Sequence, residues 1–288
     1  IGGNGNVEVK IGTQSNGQGH LTSYSQIVSE VLDIDINQIN IIQGNSIEIP
    51  KGSGTGGSRS MPVGGNALFL ASEKFLKNTQ KLLAKYLKTD PKDIIYEKGF
   101  FKFNNKNYSF SDLTKLFDNL ESLNINADWT PKPGTYTYPN GTHICELEID
   151  KYTGLISILN YTVVDDFGKV INPLLLEGQV HGGIAQGIGQ ALFEETIYDD
   201  ESGQLLTGSF MDYAIPRASD MPSIKFDYNE VLCANNPLGI KGAGEAGAIG
   251  APPAVINAVC NALNIDHIDM PAKPEKVWQI LSSKKSII

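Results

Sequence analysis

From Val7 to Ile11 apolar and polar residues alternate, the period-2 pattern of a half-buried strand. A Gly/Gln/Asn run, Gly12 to Gly19, then leads into Leu21–Leu32, where apolar residues recur at helical spacing. The same order follows again: an apolar strand at Ile39–Ile42, a glycine-rich loop from Gly44 to Gly57, and a helix over Met61–Leu87. Phe75, Leu76, Leu82, Leu83, Tyr86 and Leu87 are the expected buried stripe of that helix. Short strands around Asn104 and Asn105 are predicted between Ile94 and Phe110, with a small helix from Ser111 to Leu120.

Pro131, Pro133 and Gly134 mark irregular chain, and the stretch Asn124 to Asn140 is the best candidate boundary. Beyond it, Thr142–Asp150 and Leu155–Asp166 read as strands joined by a turn at Lys151–Gly154. Pro173–Phe193 is a Gly-rich helical stretch, which must approach a neighbour closely. A turn at Asp199–Gly203, a loop through Pro216 and Pro222, and a third glycine-rich segment at Gly239–Gly250 follow. Two helices, Pro252–Leu263 and Pro274–Leu281, are each expected to open on a proline. The expected fold class is α+β, with glycine-rich loops ahead of helices: a first subdomain at 1–123, a connection at 124–141 and a second subdomain at 142–288.

With 288 residues, 41% of them hydrophobic and 19% charged, the chain can bury a substantial core. Lys and Arg number 23 against 32 Asp and Glu, a formal charge of −9, which gives no reason to expect nucleic acid or an anionic membrane surface. No apolar run approaches the roughly 18 residues that span a bilayer, and no signal-peptide pattern opens the sequence, so the expectation is a cytoplasmic protein with no membrane partner. Ile1 followed by Gly2, Gly3 and Gly5 reads as a start inside a loop, hence as a fragment. Cys145, Cys233 and Cys260 lie far apart without a Cys-x-x-Cys pair, which argues for reduced structural thiols. His20, His143, His181 and His267 show no ligand-like spacing, and no metal ligand is assigned.

A glycine loop that feeds a helix exposes backbone N–H groups beside the positive end of the helix dipole and suits an anion such as phosphate. One such loop is as well explained by a tight turn; recurrence in a single chain favours a large anionic ligand. Two loops have Gly-x-Gly-x-x-Gly spacing, Gly52/Gly54/Gly57 and Gly242/Gly244/Gly247. The strand that a dinucleotide fingerprint requires does not lead directly into either, and Glu245 inside the second would repel a phosphate.

Several segments in order carry a resemblance: Gly17-Gln18-Gly19-His20, Gly54-Thr55-Gly56-Gly57-Ser58-Arg59-Ser60, Val164-Asp165-Asp166-Phe167-Gly168 with Ile171-Asn172-Pro173, Glu177-Gly178-Gln179-Val180-His181-Gly182-Gly183, and Lys241-Gly242-Ala243-Gly244-Glu245. Together they resemble the molybdopterin-binding large subunits of the xanthine oxidase and aldehyde oxidase superfamily, nearest in look to the bacterial carbon monoxide dehydrogenase-like branch. The resemblance implies the C-terminal molybdenum-binding domain of a molybdenum hydroxylase large subunit. It also implies that Gln18, Gly19, Thr55, Gly57, Ser58, Arg59 and Ser60 contact the pterin or its phosphates, and that Gln186 offers an amide near the molybdenum. Backbone amides, hydroxyls and a guanidinium are the donors a pyrophosphate needs.

By the same resemblance Glu245 is the general base that accepts a proton during oxidation of an aldehyde, an N-heterocycle or carbon monoxide; from spacing alone it reads as a solvated turn glutamate. Arg59 could instead form a surface ion pair, and Gln186 could be a packing or surface residue. The implied cofactor is molybdopterin with molybdenum, in its cytosine dinucleotide form. The implied partners are the N-terminal remainder of the large subunit, a small subunit with 2Fe-2S clusters, a medium subunit with FAD and a small-molecule substrate. The competing reading is a non-catalytic cofactor-binding or assembly module that retains the fold.

Overall fold

The computed structural model describes residues 1–2, 4–117, 124–132 and 134–285. The chain divides into two units: Ile1–Thr137 with Lys169–Asn172 and Leu232–Gly242 form unit 1, and Tyr138–Gly168, Pro173–Val231 and Ala243–Ile288 form unit 2. Neither is continuous in sequence, and the pattern of residues gave no sign of the two short returns to unit 1.

In unit 1 the alternating and apolar segments become β1 (Val7–Lys10) and β2 (Ile39–Ile42), paired in parallel from Val7 opposite Ile39 to Lys10 opposite Ile42. Parallel neighbours need a crossover, supplied by α1 (His20–Leu32), which buries Tyr24, Ile27, Val28 and Leu32. A π-helical turn, Ser60–Gly65, leads into α2 (Asn66–Leu87). The buried face of α2 is Leu68, Ser72, Phe75, Thr79 and Leu83. Those positions align at 3.6 residues per turn, so Leu76, Leu82 and Leu87 are only half-buried, and Tyr86, expected inside, is 52% exposed with its ring edge-on to Phe117. Ser72 and Thr79 escaped a reading that followed apolar residues alone.

A meander, β3 (Ile95–Glu97), β4 (Phe100–Phe103) and β5 (Lys106–Tyr108), turns at Asn104 and Asn105, whose φ angles of 44° and 62° suit a tight hairpin. The helix α3 (Phe110–Leu116) is capped by Ser109, whose Oγ accepts from Asp112 N at 3.2 Å while the Asp112 carboxylate accepts from Ser109 N at 2.9 Å. The end of the predicted helix, to Leu120, lies outside the described residues. Tyr24, Leu83, Ile94, Phe101, Phe110 and Leu113 form the centre of this unit's core.

In unit 2 the predicted hairpin is β6 (Asn140–Ile149) and β7 (Ile156–Asp166), closed by Asp150, whose Oδ1 accepts from Tyr152 N and Thr153 N at 2.7 and 3.0 Å. A further strand, β8 (Ile224–Tyr228), lies parallel to β7. Sequence reading left it in a loop after Pro222, although Ile224, Phe226 and Tyr228 alternate with the exposed Lys225 and Asp227. The Gly-rich helix α4 (Pro173–Leu192) finds its close neighbour in α5 (Ala246–Leu263). A Cβ on Gly183 would sit 3.0 Å from Gly247 Cα, and one on Gly187 would sit 2.7 Å from Ala251 Cβ and 2.8 Å from Pro252 Cδ.

The start of α5 differs from expectation: the helix begins before Pro252, which therefore lies inside it with Pro253. Each proline removes an amide donor from the helix, but the small residues Gly247, Ala248 and Ala251 seat the preceding turn tightly on α4. With 18 residues and a mean hydropathy of 1.3, α5 is long and apolar enough to cross a membrane by length and composition alone. Its buried face, Gly247, Ala251, Val255 and Val259, is instead accounted for by packing within unit 2. The last helix, α6 (Pro274–Lys285), covers the hairpin turn, where a Cβ on Gly154 would sit 2.1 Å from Pro274 O.

Candidate functional site

The glycines around the unit 1 loops fall into two sets. In one, backbone lies directly on backbone: a Cβ on Gly52 would sit 2.3 Å from Gly12 O, and one on Gly242 would sit 2.4 Å from Ser58 O. No methyl fits at either place, so Gly52–Ser60 is held between the loop after β1 and the strap Leu232–Gly242. In the other set, Gly17, Gly54 and Gly56, a Cβ would meet nothing within 4 Å. At Gly17 and Gly54 the backbone itself favours glycine, with φ of 102° and 68°. The Gly54 amide is donated to Gly12 O at 3.3 Å, while the Cβ side of all three glycines stays open.

Beneath these loops runs a polar network that the sequence did not disclose. Tyr24, fully buried, donates from Oη to Ser60 O at 3.0 Å and lies 3.0 Å from Thr13 Oγ1; burial pushes its phenol up to about 12, so it stays neutral. Gln43 Nε2 donates to Thr13 Oγ1 at 2.9 Å and reaches His20 Nδ1 at 3.5 Å. Burial holds the His20 imidazole below its ordinary pKa, which keeps it neutral and able to accept. Two buried amides close the strap onto α2: Asn66 Nδ2 donates to Asn236 Oδ1 at 3.1 Å, and Leu238 N donates to Asn66 Oδ1 at 2.9 Å. Residue types alone gave no signal for either Asn, since Asn66 reads as one residue of a predicted helix and Asn236, beside Pro237, as loop.

The predicted cofactor residues of unit 1 fall into distinct roles. Thr55 Oγ1 lies 2.9 Å from Ser60 Oγ and donates to Gln14 O, so these hydroxyls fasten the loop internally, and Ser60 is buried. Ser58 holds φ at 53°, a left-handed geometry strained for a residue with a Cβ. Gln18 turns its Oε1 back to accept from Asn16 N. Gly19 opens α1 at φ 71° with no side-chain cap and no acid in the first turn, so the first amides of that helix lack a side-chain acceptor. Arg59 is exposed; its Nε reaches Gly56 O at 3.5 Å, and among the described residues no carboxylate pairs with it within 4.0 Å.

In unit 2, Glu245 is exposed at the N-cap of α5, which also lacks a side-chain cap and a first-turn acid. The first turns of α5 are clamped on both sides. Gly247 lies on Val180 O of α4, where a Cβ would sit 2.5 Å away, and Gly250 lies on the His143 ring of β6, where a Cβ would sit 2.6 Å from Nε2. His143 Nδ1 is hydrogen-bonded to Tyr161 Oη at 2.9 Å, and its Nε2 is 3.4 Å from Asp165 Oδ2, both side chains being almost wholly buried. Burial pushes the Tyr161 phenol well above its ordinary value. On the side of α4 away from α5, Gln186 is exposed in line with Gly178 and Gly182, where a Cβ would meet nothing within 4 Å. Among the described residues no three His, Cys, Asp or Glu side chains gather closely enough to hold a metal ion.

An uncapped helix terminus and a guanidinium that no carboxylate pairs with among the described residues fit a phosphate-bearing ligand, and the glycines with open sides leave it room. The family model described as molybdopterin cofactor-binding domain matches residues 1–222. The chain belongs to that family.

Relatives of this cofactor-binding domain align over nearly all of it, the third glycine loop included. The carbon monoxide dehydrogenase large chain of Afipia carboxidovorans is 35% identical over 287 residues, covering 96% of this chain and 35% of its own length. The 6-hydroxypseudooxynicotine dehydrogenase complex subunit gamma of Paenarthrobacter nicotinovorans is 36% identical, over 95% of this chain and 36% of its own. A crystal structure of Cu,Mo-CO dehydrogenase in its carbon monoxide-reduced state superposes with a TM-score of 0.87 at 34% identity, over 100% of this chain and 37% of that one. The chain thus spans little more than a third of the length of the curated relatives it matches, and the expected α+β fold of the molybdenum-binding large subunit is the one observed.

The contact of Gly242 with Ser58 yields a direct expectation. Gly242→Ala places a methyl against the Ser58 carbonyl, so Ser58 must move, and a loss of about 1–3 kcal/mol of stability is expected. Thermal unfolding of the parent and the variant measures it; an unshifted midpoint refutes the contact.

Proposed function

We propose that this chain is the C-terminal, cofactor-binding part of the large subunit of a molybdenum-dependent hydroxylase or dehydrogenase, with Glu245 as general base. The observation that carries the reading is the stack of glycine loops in unit 1, pressed together on one side and open at Gly17, Gly54 and Gly56. The amides of Gly17–Gly19 and Thr55–Arg59, with the Arg59 guanidinium, hold the phosphates of a molybdopterin dinucleotide, in the cytosine form. Gln186 supplies an amide beside the reacting end. When bound, the cofactor supplies two-electron redox chemistry that no side chain of this chain can supply.

Glu245 receives the proton released as substrate is oxidised, and its place at a helix start flanked by Gly244 and Gly247 lets a carboxylate approach without side-chain obstruction. The N-terminal remainder of the subunit, a 2Fe-2S small subunit and an FAD medium subunit complete the enzyme, and the substrate is an aldehyde, an N-heterocycle or carbon monoxide. An exposed arginine with no ion pair among the described residues and a strained Ser58 support this reading over a module released from catalysis.

Expressed alone, the 288-residue chain is expected to carry no molybdenum and to show no turnover, because the rest of the subunit encloses the cofactor. Metal analysis beside the complete subunit is the test, and stoichiometric molybdenum in the isolated chain refutes it. In the complete enzyme, Arg59→Ala is expected to reduce molybdenum content, as a phosphate loses a charge-assisted partner worth about 1.5–3 kcal/mol. The unfolding midpoint of the cofactor-free protein should stay put, since Arg59 is exposed and among the described residues its guanidinium makes one long hydrogen bond, to Gly56 O at 3.5 Å. Unchanged molybdenum content excludes the phosphate role.

A further inference from the structure

The segment between the Tyr198–Leu205 bridge and Pro216 is held in place while it displays apolar side chains. Ser209 begins a turn: its carbonyl accepts from Asp212 N at 3.0 Å and Tyr213 N at 2.8 Å, and its Oγ donates to Asp212 Oδ2 at 2.7 Å. Immediately after it, Tyr213 Oη donates to Glu194 Oε2 at 2.7 Å, and Pro216 Cδ rests on α4, where a Cβ on Gly189 would sit 3.0 Å away. Within this fastened turn Phe210 is 82% and Met211 92% exposed, and Leu206 and Ile215 flank them, also exposed. A loose loop can fold such side chains inward; one tied on both sides cannot. The two largest alone leave roughly 300 Å² of apolar surface in water, on the order of the largest patch a monomer ordinarily shows.

We propose that Leu206, Phe210, Met211 and Ile215 form a docking surface for the part of the large subunit that lies outside these 288 residues. The inference rests on the reading of this chain as one part of a longer subunit. Curated relatives extend well beyond the aligned region, which is only 35–36% of their length, so a tethered occupant of about twice this size stands beside the patch at high effective concentration. A second copy of the chain fits poorly. The adjoining turn carries exposed Asp200 and Glu201, and the patch itself carries the exposed Asp212, so a two-fold pairing sets like charges face to face. Phe and Met, rigid anchor and adaptable filler, are residue types that an interface core favours.

The test places a photo-crosslinking benzoyl-phenylalanine at position 210 of the complete subunit in the assembled enzyme and maps the product by mass spectrometry. A cross-link to the same polypeptide outside the 288 residues is expected. A cross-link within the 288 residues, to a second copy or to another subunit, or no cross-link at all, overturns the proposal. Hydroxyl-radical oxidation of the unmodified enzyme reads the same surface without substitution. Met211 is expected to oxidise ~10-fold more slowly than Met270 in the assembly, although it is the more exposed here, at 92% against 43%. Faster oxidation of Met211 than of Met270 overturns the proposal. The intact subunit mass separates the two levels: a native subunit of only 288 residues defeats the underlying reading as well, whereas a longer subunit with an unprotected Met211 defeats this surface alone.

Discussion

Glu245→Gln in the assembled enzyme is expected to slow reduction of the molybdenum centre by substrate roughly 10²- to 10⁴-fold while molybdenum content stays normal. Glutamine keeps the size and hydrogen-bonding reach of the side chain and removes only its capacity to accept a proton. Glu245 stands at the N-cap of α5 without a side-chain cap bond, so the change removes no cap from the helix. The loss should appear in a single-turnover reduction, before electrons pass to other centres. A structural turn glutamate predicts the opposite pattern, with lower stability or loading and an unaltered rate per loaded site. Reduction at the parental rate, corrected for molybdenum, removes Glu245 from the mechanism.

His143→Leu carries the largest expected effect on stability, about 2–6 kcal/mol, because it strands two buried polar groups, the Asp165 carboxyl and the Tyr161 hydroxyl, at about 1–3 kcal/mol each. Asp165 Oδ2 has no hydrogen-bond partner among the described residues, so His143 Nε2, 3.4 Å away, is the polar group that faces it. Leucine preserves bulk beneath Gly250, which separates loss of the polar contacts from loss of packing. Adding Asp165→Asn should recover part of the deficit by replacing the stranded carboxyl at nearly constant shape. Urea unfolding of the parent, the single variant and the double variant gives the comparison; a single variant as stable as the parent means that His143 does not support the buried carboxyl. Activity should fall as well, since the His143 ring is one side of the clamp on the first turns of α5.

Elements with strict periodicity were legible from the sequence: β2 lies where its apolar run placed it, and β1, α1, α4, β6 and β7 differ by a residue or two at their ends. The start of α5 was not legible, because Gly and Ala signal loop until a neighbouring helix accepts their close approach, and Pro252 then reads as a beginning when it is an interior residue. The short strand β8 was hidden behind Pro222. Of the candidate site, the glycine loops and Glu245 could be read because motif spacing is local. The supports could not. Tyr24 meets Ser60, Asn66 meets Asn236 and His143 meets Asp165 across gaps in sequence that no spacing rule spans.

The strap Leu232–Gly242 also sets an order of events in synthesis. Asn66 must wait for Asn236, and Ser58 for Gly242, so the glycine loops of unit 1 stay unclosed while nearly all of the intervening polypeptide leaves the ribosome. Unit 1 therefore cannot close segment by segment as it is synthesised, and its loops reach their final packing only once residue 242 has emerged. A chain ended at residue 222 would retain everything the family model matches and would still never close its own cradle.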